Sequence, residues 1–261
     1  MSIDIVQRAA AITELQSLLL STQTIDDLLQ GVASDASRRL APHAEATVTL
    51  RRGGQLSGVA GSGDRARACD EAEYAAGAGP CVDAVDTGRI VEVPDVASED
   101  RWPAWGEAAR TAAFRSAIAY PAEVEPDVWV AVNIYSDDSP TWLAPSHERG
   151  TMYAAEVARI TGLALRLARE AQISEDLRAA LASRALIDQA IGVVMAQNRC
   201  TSAQALAILR SASQHRNVKV RDVAASMIES VSGHAPIPTT EFVPRSLHPS
   251  HPERTGAQRR V

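Results

Sequence analysis

The sequence predicts an α+β domain followed by an all-α region that contains a coiled coil and a small three-helix module. Apolar residues recur at helical spacing in the first forty residues, alternate with polar residues in several segments between 44 and 135, and return to helical spacing from residue 146. Helices and strands bury side chains with periods of about 3.6 and about 2 residues. These changes of period therefore mark changes of secondary structure.

The first 140 residues are predicted to hold two helices and then a set of strands. Alternation at Ala46, Val48 and Leu50, followed by a Gly-Gly turn, predicts a β-hairpin. Three further segments have the composition of strands, namely 90–93, 116–120 and 128–135. The segment 128–135 is mostly apolar and is therefore expected to be a central strand. The intervening segments 80–87 and 104–113 are expected to be helical or loop.

The helical pattern that begins near residue 146 continues for about fifty residues, longer than a globular helix normally runs alone. Most heptad positions counted through this segment are apolar, as in the seam of a coiled-coil dimer. These positions are Ile160, Leu163, Leu167, Glu170, Ser174, Leu177, Leu181, Arg184, Asp188, Ile191 and Met195. The polar pair Glu170 and Ser174 predicts a domain junction, and Arg184 and Asp188 mark where the helix leaves the seam.

Two shorter amphipathic segments, 203–214 and 220–231, follow the long helix, and the three together predict a minimal three-helix bundle. The remaining residues are rich in Pro, His, Ser and Thr and contain few apolar side chains, which predicts disorder. The expected organisation is a first domain at 1–167, a helical module at 168–233 and a disordered tail at 234–261.

Composition excludes several classes of protein. Apolar residues make up 46% and charged residues 22% of the chain, as in a soluble globular protein. No secretory signal and no run of about 18 apolar residues is present, so we expect a cytoplasmic protein that does not span a membrane. The three cysteines form no Cys-x-x-Cys pair, and no Walker, Gly-x-Ser-x-Gly or His-Glu-x-x-His motif occurs, so we expect neither a metal, a cofactor nor an enzyme.

Charge is distributed unevenly along the chain. Residues 1–173 contain 15 basic and 25 acidic residues, whereas residues 174–233 contain 7 basic and 5 acidic ones. Binding of a polyanion requires a locally favourable field. Any nucleic-acid partner is therefore expected at the C-terminal module.

The segment from Ser183 to Met195, with the sequence Ser-Arg-Ala-Leu-Ile-Asp-Gln-Ala-Ile-Gly-Val-Val-Met, resembles the ANTAR family of RNA-binding antitermination domains. The resemblance continues through 200–206, Leu209 and Arg210 to 217–224, and covers about sixty residues. It implies a helical module that binds hairpin loops in nascent transcripts.

Seven residues of this module are candidates for contact with RNA. The cations among them supply charge for phosphates, the glutamine can bond to bases, and the two smallest residues allow close approach of a nucleic-acid strand or of another helix. These residues are Arg184, Gln189, Ala190, Gly192, Arg210, Lys219 and Arg221. No aromatic residue lies within 174–233, so recognition is expected to depend on loop shape rather than on stacking.

Two positions depart from the ANTAR pattern. Ile191 stands where the family has lysine, and Leu206 stands where an aromatic residue is usual. The loss of the lysine removes one potential phosphate contact, worth roughly one unit of salt dependence. The consequence of Ile191 for RNA affinity is therefore an open question at the level of sequence.

The segment from Gly79 to Gly88, with the later 91–96 and 101–103, resembles the GAF domains that precede ANTAR domains in actinobacteria, and the runs 114–121 and 130–135 are similar to that family's last central strands. The resemblance spans roughly residues 12–167 and implies a central antiparallel sheet flanked by helices. GAF domains bind varied small molecules, haem or nothing, so the ligand is unknown and its binding residues are not assigned. Burial is the preferred explanation for Cys81, and anchoring of a loop for Trp102 and Trp105.

These observations predict a signal-responsive antiterminator that acts as a homodimer through its long helix, with a small molecule as a further partner of the GAF domain. Two alternatives stay open. One is a DNA-binding transcriptional regulator, although no strongly basic recognition helix is present. The other is a ligand sensor whose C-terminal module serves only for dimerisation, a hypothesis that Ile191 favours.

Overall fold

The computed structural model describes residues 2–41, 43–138 and 144–235, and gives only the backbone of residues 2–7, 57, 58 and 144–146. The chain divides into two compact units, Met1–Glu170 and Ala171–Val261. Nearly all of the tail predicted to be disordered, from residue 236 onward, lies outside the described residues.

The first unit alternates helices and strands, and a long helix, α6, runs from it into the second unit. The elements in chain order are α1 (Ser2–Ser21), α2 (Ile25–Leu40), β1 (Glu45–Arg52), β2 (Gln55–Gly61), α3 (Asp64–Ala76), α4 (Pro80–Thr87), β3 (Val91–Val93), α5 (Pro103–Thr111), β4 (Ser116–Glu125), β5 (Val128–Ser136), α6 (Ala144–Asn198), α7 (Ser202–Arg216) and α8 (Val220–Ser232).

The five strands form one antiparallel sheet in the order β2-β1-β5-β4-β3. The predicted hairpin and the central position of β5 are confirmed, and so is the α+β class. Strand β4 extends five residues beyond the predicted segment 116–120, because its pairing with β5 continues through Pro121 opposite Ala131. A tight turn closes the β1–β2 hairpin, and both Gly53 and Gly54 have the positive φ that this turn requires.

Helices cover both faces of the sheet. On one face, α2 and α6 bury the apolar residues of β1, β4 and β5, including Val48, Val132 and Ile134. On the other face, α3 and α5 pack with Trp105 and Phe114 against Ala117 and Tyr135. The two threonines in the middle of β1, Thr47 and Thr49, are therefore buried.

Helix α3 is not predicted by the sequence, because its buried side lacks an apolar stripe. The four residues that it buries are Ala66, Cys69, Asp70 and Glu73. Because two of the core-facing residues are carboxylates, the apolar residues of this segment do not recur at helical spacing.

A buried polar contact ties α6 to α2 within the first unit. The Tyr153 hydroxyl donates to Oδ2 of Asp35 at 2.9 Å, and the same carboxylate pairs with Nε of Arg39 at 2.8 Å. Asp35 is only 2% exposed, and Arg38 also lies 3.4 Å from its Oδ1, so these partners together compensate for its burial.

By length and composition alone, residues His147–Asn198 of α6 could cross a membrane. This differs from the expectation that the chain holds no such segment. However, Tyr153 and Val157 are buried in the core of the first unit, and Ala190 and Val194 in that of the second. Between these ends α6 carries several charged residues, among them Arg166, Arg169, Glu170, Glu175, Asp176, Arg178 and Arg184. Packing into two protein cores accounts for the buried apolar residues of α6, whereas others, such as Leu177 and Leu181, stay exposed.

We expect Leu29→Ala to lower the free energy of unfolding of the first unit by about 2–5 kcal/mol, because Leu29 on α2 is 1% exposed and its truncation leaves a cavity. Leu20→Ala is the matched control, since Leu20 is 86% exposed and its loss should change stability by less than about 0.5 kcal/mol. Tryptophan fluorescence during denaturation measures both, because all tryptophans of the sequence lie in this unit. Equal effects would contradict the assigned core.

Candidate functional site

The second unit is a three-helix bundle with a small apolar core. Its fully buried residues come in pairs from α6, α7 and α8, namely Ala190 and Val194, Ala205 and Leu209, and Val223 and Ala224. Small residues dominate this core, so the three helices approach one another closely.

Local sequence signals define the ends of α7. Thr201 and Gln204 form a reciprocal capping box, in which the threonine side chain accepts from the Gln204 N–H and the glutamine side chain accepts from the Thr201 N–H. At the other end Asn217 adopts the left-handed conformation, with φ of 51°, and ends the helix. The chain then enters α8 directly, with Lys219 at its N-cap.

Six of the seven candidate residues are exposed. Arg184, Gln189 and Gly192 lie on α6, Arg210 lies on α7, and the remaining two, Lys219 and Arg221, lie at the start of α8. The candidate set is thus spread over all three helices of the bundle.

The prediction for Ala190 is corrected by the structure. Ala190 is completely buried in the bundle core, where it packs beside Leu209 and Ala224. Its small side chain serves helix packing, and it does not form part of an exposed surface.

Gly192 behaves differently from Ala190. A Cβ atom at Gly192 would meet no atom within 4 Å, so packing inside the described chain does not require a glycine there. A glycine in a helix costs about 1 kcal/mol relative to alanine. No contact within the bundle compensates for this cost. The missing side chain leaves room for a group from another molecule.

The exposed cations differ in how far neighbouring carboxylates neutralise them. Nε of Arg184 lies 3.8 Å from Oδ2 of Asp188, and Nε of Arg221 lies 3.2 Å from Oδ1 of Asp222. Within residues 171–235 as described, Arg210 and Lys219 form no ion pair. Among the candidate residues, these two have the charge most readily available for a phosphate.

Ile191, at the position of the family's lysine, is half-buried and packs against the bundle core. Its side chain adds apolar contact at the edge of a small core. Residue 191 therefore contributes packing to the bundle core, and the positive charge that a lysine would bring is absent.

A buried polar cluster occupies the second face of the sheet in the first unit, where α3 covers β1 and β5. Oδ2 of Asp70 accepts hydrogen bonds from Thr47 at 2.6 Å, Thr49 at 3.2 Å and Nδ2 of Asn133 at 3.1 Å. The Tyr135 hydroxyl donates to Oδ1 at 2.5 Å. Four donors thus hold a carboxyl group that has no exposure to water, and they link α3 to two strands.

Burial dominates the acid–base behaviour of this cluster. It raises the pKa of Asp70, and the four hydrogen bonds oppose that shift. Oδ1 of Asn133 is buried and has no hydrogen-bond partner among the described residues.

Glu73 joins α3 to the first turn of α4. Its side chain accepts from the backbone N–H of Val82 at 2.9 Å and of Cys81 at 3.4 Å. Gly79 permits this approach, because a Cβ atom there would lie 2.4 Å from Cβ of Glu73. Burial, followed by the nearby charge of Asp70, raises the pKa of Glu73 well above its ordinary value.

Cys81 lies in the first turn of α4, with its sulfur 3.0 Å from the Tyr74 hydroxyl. Burial raises the pKa of its thiol well above the ordinary value, so the reactive thiolate is disfavoured. Burial is therefore confirmed as its role in the fold. Trp102 and Trp105 are also buried, and Nε1 of Trp102 donates to Asp83 at 3.2 Å. Anchoring onto the core is confirmed, but Trp102 is the N-cap of α5 and Trp105 lies within that helix rather than in a loop.

The burial of Asp70 and Glu73 is not predicted by the sequence pattern. The signal available was two acidic residues three apart, preceded by Cys69 and followed by a Gly-Pro-Cys segment, but surface helices show the same spacing. Only the covering of both sheet faces identifies these acids as buried.

A groove of about 350 Å³ lies beside α1 and α6 in the first unit, a volume in the range of small-ligand sites. Its lining residues are Arg8, His147, Glu148, Thr151, Met152, Ala155, Glu156 and Arg159. Arg8 and Arg159 both pair with Glu156, so the groove is largely neutral.

Comparison with known proteins identifies two domain models that match the chain, a GAF domain over residues 22–166 and an ANTAR domain over residues 175–228. No curated protein sequence matches it.

Several solved structures are similar to part of the chain. The GAF domain of a phosphoenolpyruvate-protein phosphotransferase from Coxiella burnetii has 11% identity and a TM-score of 0.46, covering 64% of this chain and 98% of that one. Free methionine-R-sulfoxide reductase from Neisseria meningitidis has 16% identity and a TM-score of 0.45, covering 63% and 91%. CepR2, a LuxR family transcription factor from Burkholderia cenocepacia, has 15% identity and a TM-score of 0.45, covering 61% and 93%.

We expect the wild-type protein to lose stability as pH rises, because Glu73 must then ionise while it is buried. In the Glu73→Gln variant this contribution should be absent. Glu73 has an ordinary pKa of 4.5 and a higher pKa when folded, so above pH 4.5 the unfolded chain releases a proton that the folded chain keeps. The free energy of unfolding therefore contains a term that is present at low pH and is lost as pH rises through the folded pKa. Glutamine cannot ionise and still offers an oxygen to the Val82 N–H.

The measurement is denaturant unfolding at pH 4.5, 6 and 8, followed by tryptophan fluorescence. The difference in stability between variant and wild type should move in favour of the variant as pH increases. Glu71→Gln, at an exposed neighbour on α3, should show no such trend. A difference that is independent of pH would mean that Glu73 ionises equally in both states.

Proposed function

Because the chain belongs to the GAF domain family and carries an ANTAR domain behind it, we propose that it is a cytoplasmic, signal-responsive regulator that promotes transcription antitermination by binding hairpin RNA. ANTAR domains are RNA-binding antitermination modules, and GAF domains are sensory. Both are regulatory rather than catalytic, and the proposed protein is not an enzyme.

One observation supports this proposal above all: the ANTAR match, 175–228, covers the three-helix bundle. This bundle has an apolar core of its own, and its candidate cations are exposed. The sequence places its only net-positive folded region there. Phosphate contacts dominate affinity for nucleic acids, so this is where RNA should bind.

The proposed RNA contacts are the exposed members of the candidate set. Arg210 and Lys219 supply charge that is free of ion pairs within the described module, and Arg221 lies beside Lys219 at the start of α8. Gln189 offers both a donor and an acceptor to a base. With no aromatic residue in the module, these side chains recognise the shape and backbone of a loop.

We propose further that the protein acts as a homodimer through α6. Leu177 and Leu181, one helical turn apart, are 59% and 50% exposed, and Ile173 on the preceding turn is 58% exposed. Apolar side chains aligned along a helix and exposed to water are typical of a surface that pairs with another helix.

The GAF domain would detect the signal, and a small molecule is the expected class of ligand. Such a ligand can act only if it binds two states of the protein with different affinity. Helix α6, which contributes to the cores of both units, is the element through which binding would reach the module.

We expect Arg210→Ala combined with Lys219→Ala to weaken binding of a small-loop RNA hairpin on the order of tenfold at low salt and to lower the salt dependence of binding by about 1.4 units, because two phosphate contacts are lost. Fluorescence anisotropy with labelled hairpins at several salt concentrations measures both quantities. The matched control is Arg89→Ala combined with Arg115→Ala, which removes two exposed cations from the first unit.

Duplex DNA of equal charge belongs in the same titration. Tighter binding to the duplex than to the hairpins would favour the alternative of a DNA-binding regulator. Absence of binding to either, by a folded dimer, would favour a sensor whose module only dimerises. Gain of hairpin binding by Ile191→Lys would then identify the missing charge.

We expect Leu177→Glu combined with Leu181→Glu to yield a monomer at concentrations where the wild type is a dimer, because charges would replace apolar contacts in the seam. Light scattering after size exclusion measures the mass. Ala168→Glu combined with Ala179→Glu adds the same charge at exposed positions on another side of α6 and should leave the dimer intact. A monomeric wild type would refute this part of the proposal.

A further inference from the structure

The groove between α1 and α6 in the first unit has its charges separated along its length. Four of its lining residues, Glu148, Met152, Ala155 and Arg159, follow one another on α6 at steps of four, three and four residues. Residues at this spacing lie in one line along a helix. The groove therefore runs from an acidic end, past two apolar side chains, to a basic end, although its charges cancel when it is taken as a whole.

Two guanidinium groups meet at the basic end and share one carboxylate. Arg8 on α1 and Arg159 on α6 lie 3.6 Å and 2.5 Å from the same oxygen, Oε1 of Glu156. The side chain of Glu156 is 14% exposed, whereas those of the two arginines are 51% and 64% exposed. Two guanidinium groups offer more N–H donors than one carboxylate can accept. Accessible donors and one unit of positive charge therefore remain for a second carboxylate.

The acidic end has the opposite character. Glu148 is exposed there and supplies a negative charge. The neighbouring imidazole of His147 is engaged elsewhere, because its Nε2 lies 3.4 Å from Oε2 of Glu92 on β3. This end of the groove is therefore suited to a cationic group such as an ammonium and unsuited to an anion.

The distance between the two ends sets the length of a matching ligand. Arg159 reaches back to Glu156, so the basic end lies near the level of Glu156, eight residues beyond Glu148. Eight residues of α-helix span about 12 Å. An extended tripeptide is about 10 Å long. The volume of the groove, about 350 Å³, lies in the range of sites for molecules of this size.

We propose that this groove binds a short linear peptide of about three residues with free termini. The peptide carboxylate binds Arg8 and Arg159, and the peptide ammonium group binds Glu148. An apolar side chain in the middle of the peptide packs on Met152 and Ala155. The inference rests on the proposed function for its expectation of a small-molecule ligand, and it specifies the site and the chemical class of that ligand.

Such a peptide connects two helices of the first unit. Arg8 belongs to α1, whereas the other contacts come from the first turns of α6, which continues into the second unit. The ligand therefore acts at the start of the helix that ends in the RNA-binding module. It shifts any equilibrium in which the contact between Arg8 and α6 is made in one state and lost in the other.

Methyl NMR of the full chain, labelled with carbon-13 at its methionine methyl groups, tests the site directly. Met152 lines the groove and reports on its occupant. The Met152 signal, assigned by its loss from the spectrum of Met152→Leu, should shift and saturate during titration with Ala-Leu-Ala. Saturation in the millimolar range is expected for a ligand of about this size in an open groove. Ala155→Leu fills the groove with a larger side chain and should abolish the shift.

Peptides with a blocked terminus test the two charged ends. N-acetylated and C-amidated Ala-Leu-Ala should each bind at least about threefold more weakly than the free tripeptide, because each lacks one charge-matched contact. The dipeptide Ala-Leu should lose a similar factor, because it cannot reach both ends. Equal affinity of the free and blocked peptides would overturn the proposal.

Charge-removing variants assign each terminus to its partner. Arg159→Gln should weaken binding of the free tripeptide at least about threefold and leave binding of the amidated peptide unchanged. Glu148→Gln should weaken the free tripeptide by a similar factor and leave the acetylated peptide unchanged. Arg166→Gln is the matched control, since Arg166 is exposed on α6, seven residues beyond Arg159, and does not line the groove. Equal losses in Arg159→Gln and Arg166→Gln would show unspecific attraction and overturn the site.

A second copy of the chain is the competing occupant of the groove. A Met152 signal that ignores the peptide but shifts when the protein is diluted to a monomer would show that occupant and overturn the proposal. Hairpin binding is measured on the same samples. Hairpin binding without a response of Met152 to the peptide would sink the peptide site while leaving the RNA function standing. Saturable peptide binding by a chain that binds no hairpin would do the reverse.

Discussion

Because helices cover both faces of the five-stranded sheet, the polar side chains at its centre must find hydrogen-bond partners inside the protein. Thr47, Thr49 and Asn133 face α3, and the carboxyl group of Asp70 accepts a hydrogen bond from each of them. A buried carboxyl group without such donors would cost several kcal/mol. The position of α3, and through Glu73 that of α4, therefore depends on this cluster, and the arrangement of the first unit follows from it.

Helix α6 is under a different constraint, because it serves two cores and presents a third, exposed side. Residues such as Val157 are buried in the first unit, and Ala190 is buried in the second. Its exposed leucines cannot be explained by either core. A helix with more apolar surface than its own chain can cover is suited to association, which connects the fold to the proposed dimer.

The relation between packing and binding in the module is equally direct. Small residues such as Ala190 and Ala224 let the helices approach, so the core needs few side chains. The remaining surface is free to carry charge, and Arg210 and Lys219 do so without neutralisation inside the described bundle. Ile191 extends the core at the position where the family has a charge, so this chain combines added packing with reduced charge in one residue.

The sequence by itself determined the α+β class, the hairpin, the central strand β5, the long helix and the three-helix module, because each depends on a local period of apolar residues. It also identified both families from short motifs. Only the tertiary structure decided that Asp70 and Glu73 are core residues, since a carboxylate on a helix has no sequence signal that distinguishes burial from exposure. The tertiary structure likewise distinguished Ala190, which is buried in the bundle core, from Gly192, which is exposed. In the sequence both are small residues, only two positions apart, and nothing distinguishes them. Burial depends on which elements pack together, and that is a property of the whole chain.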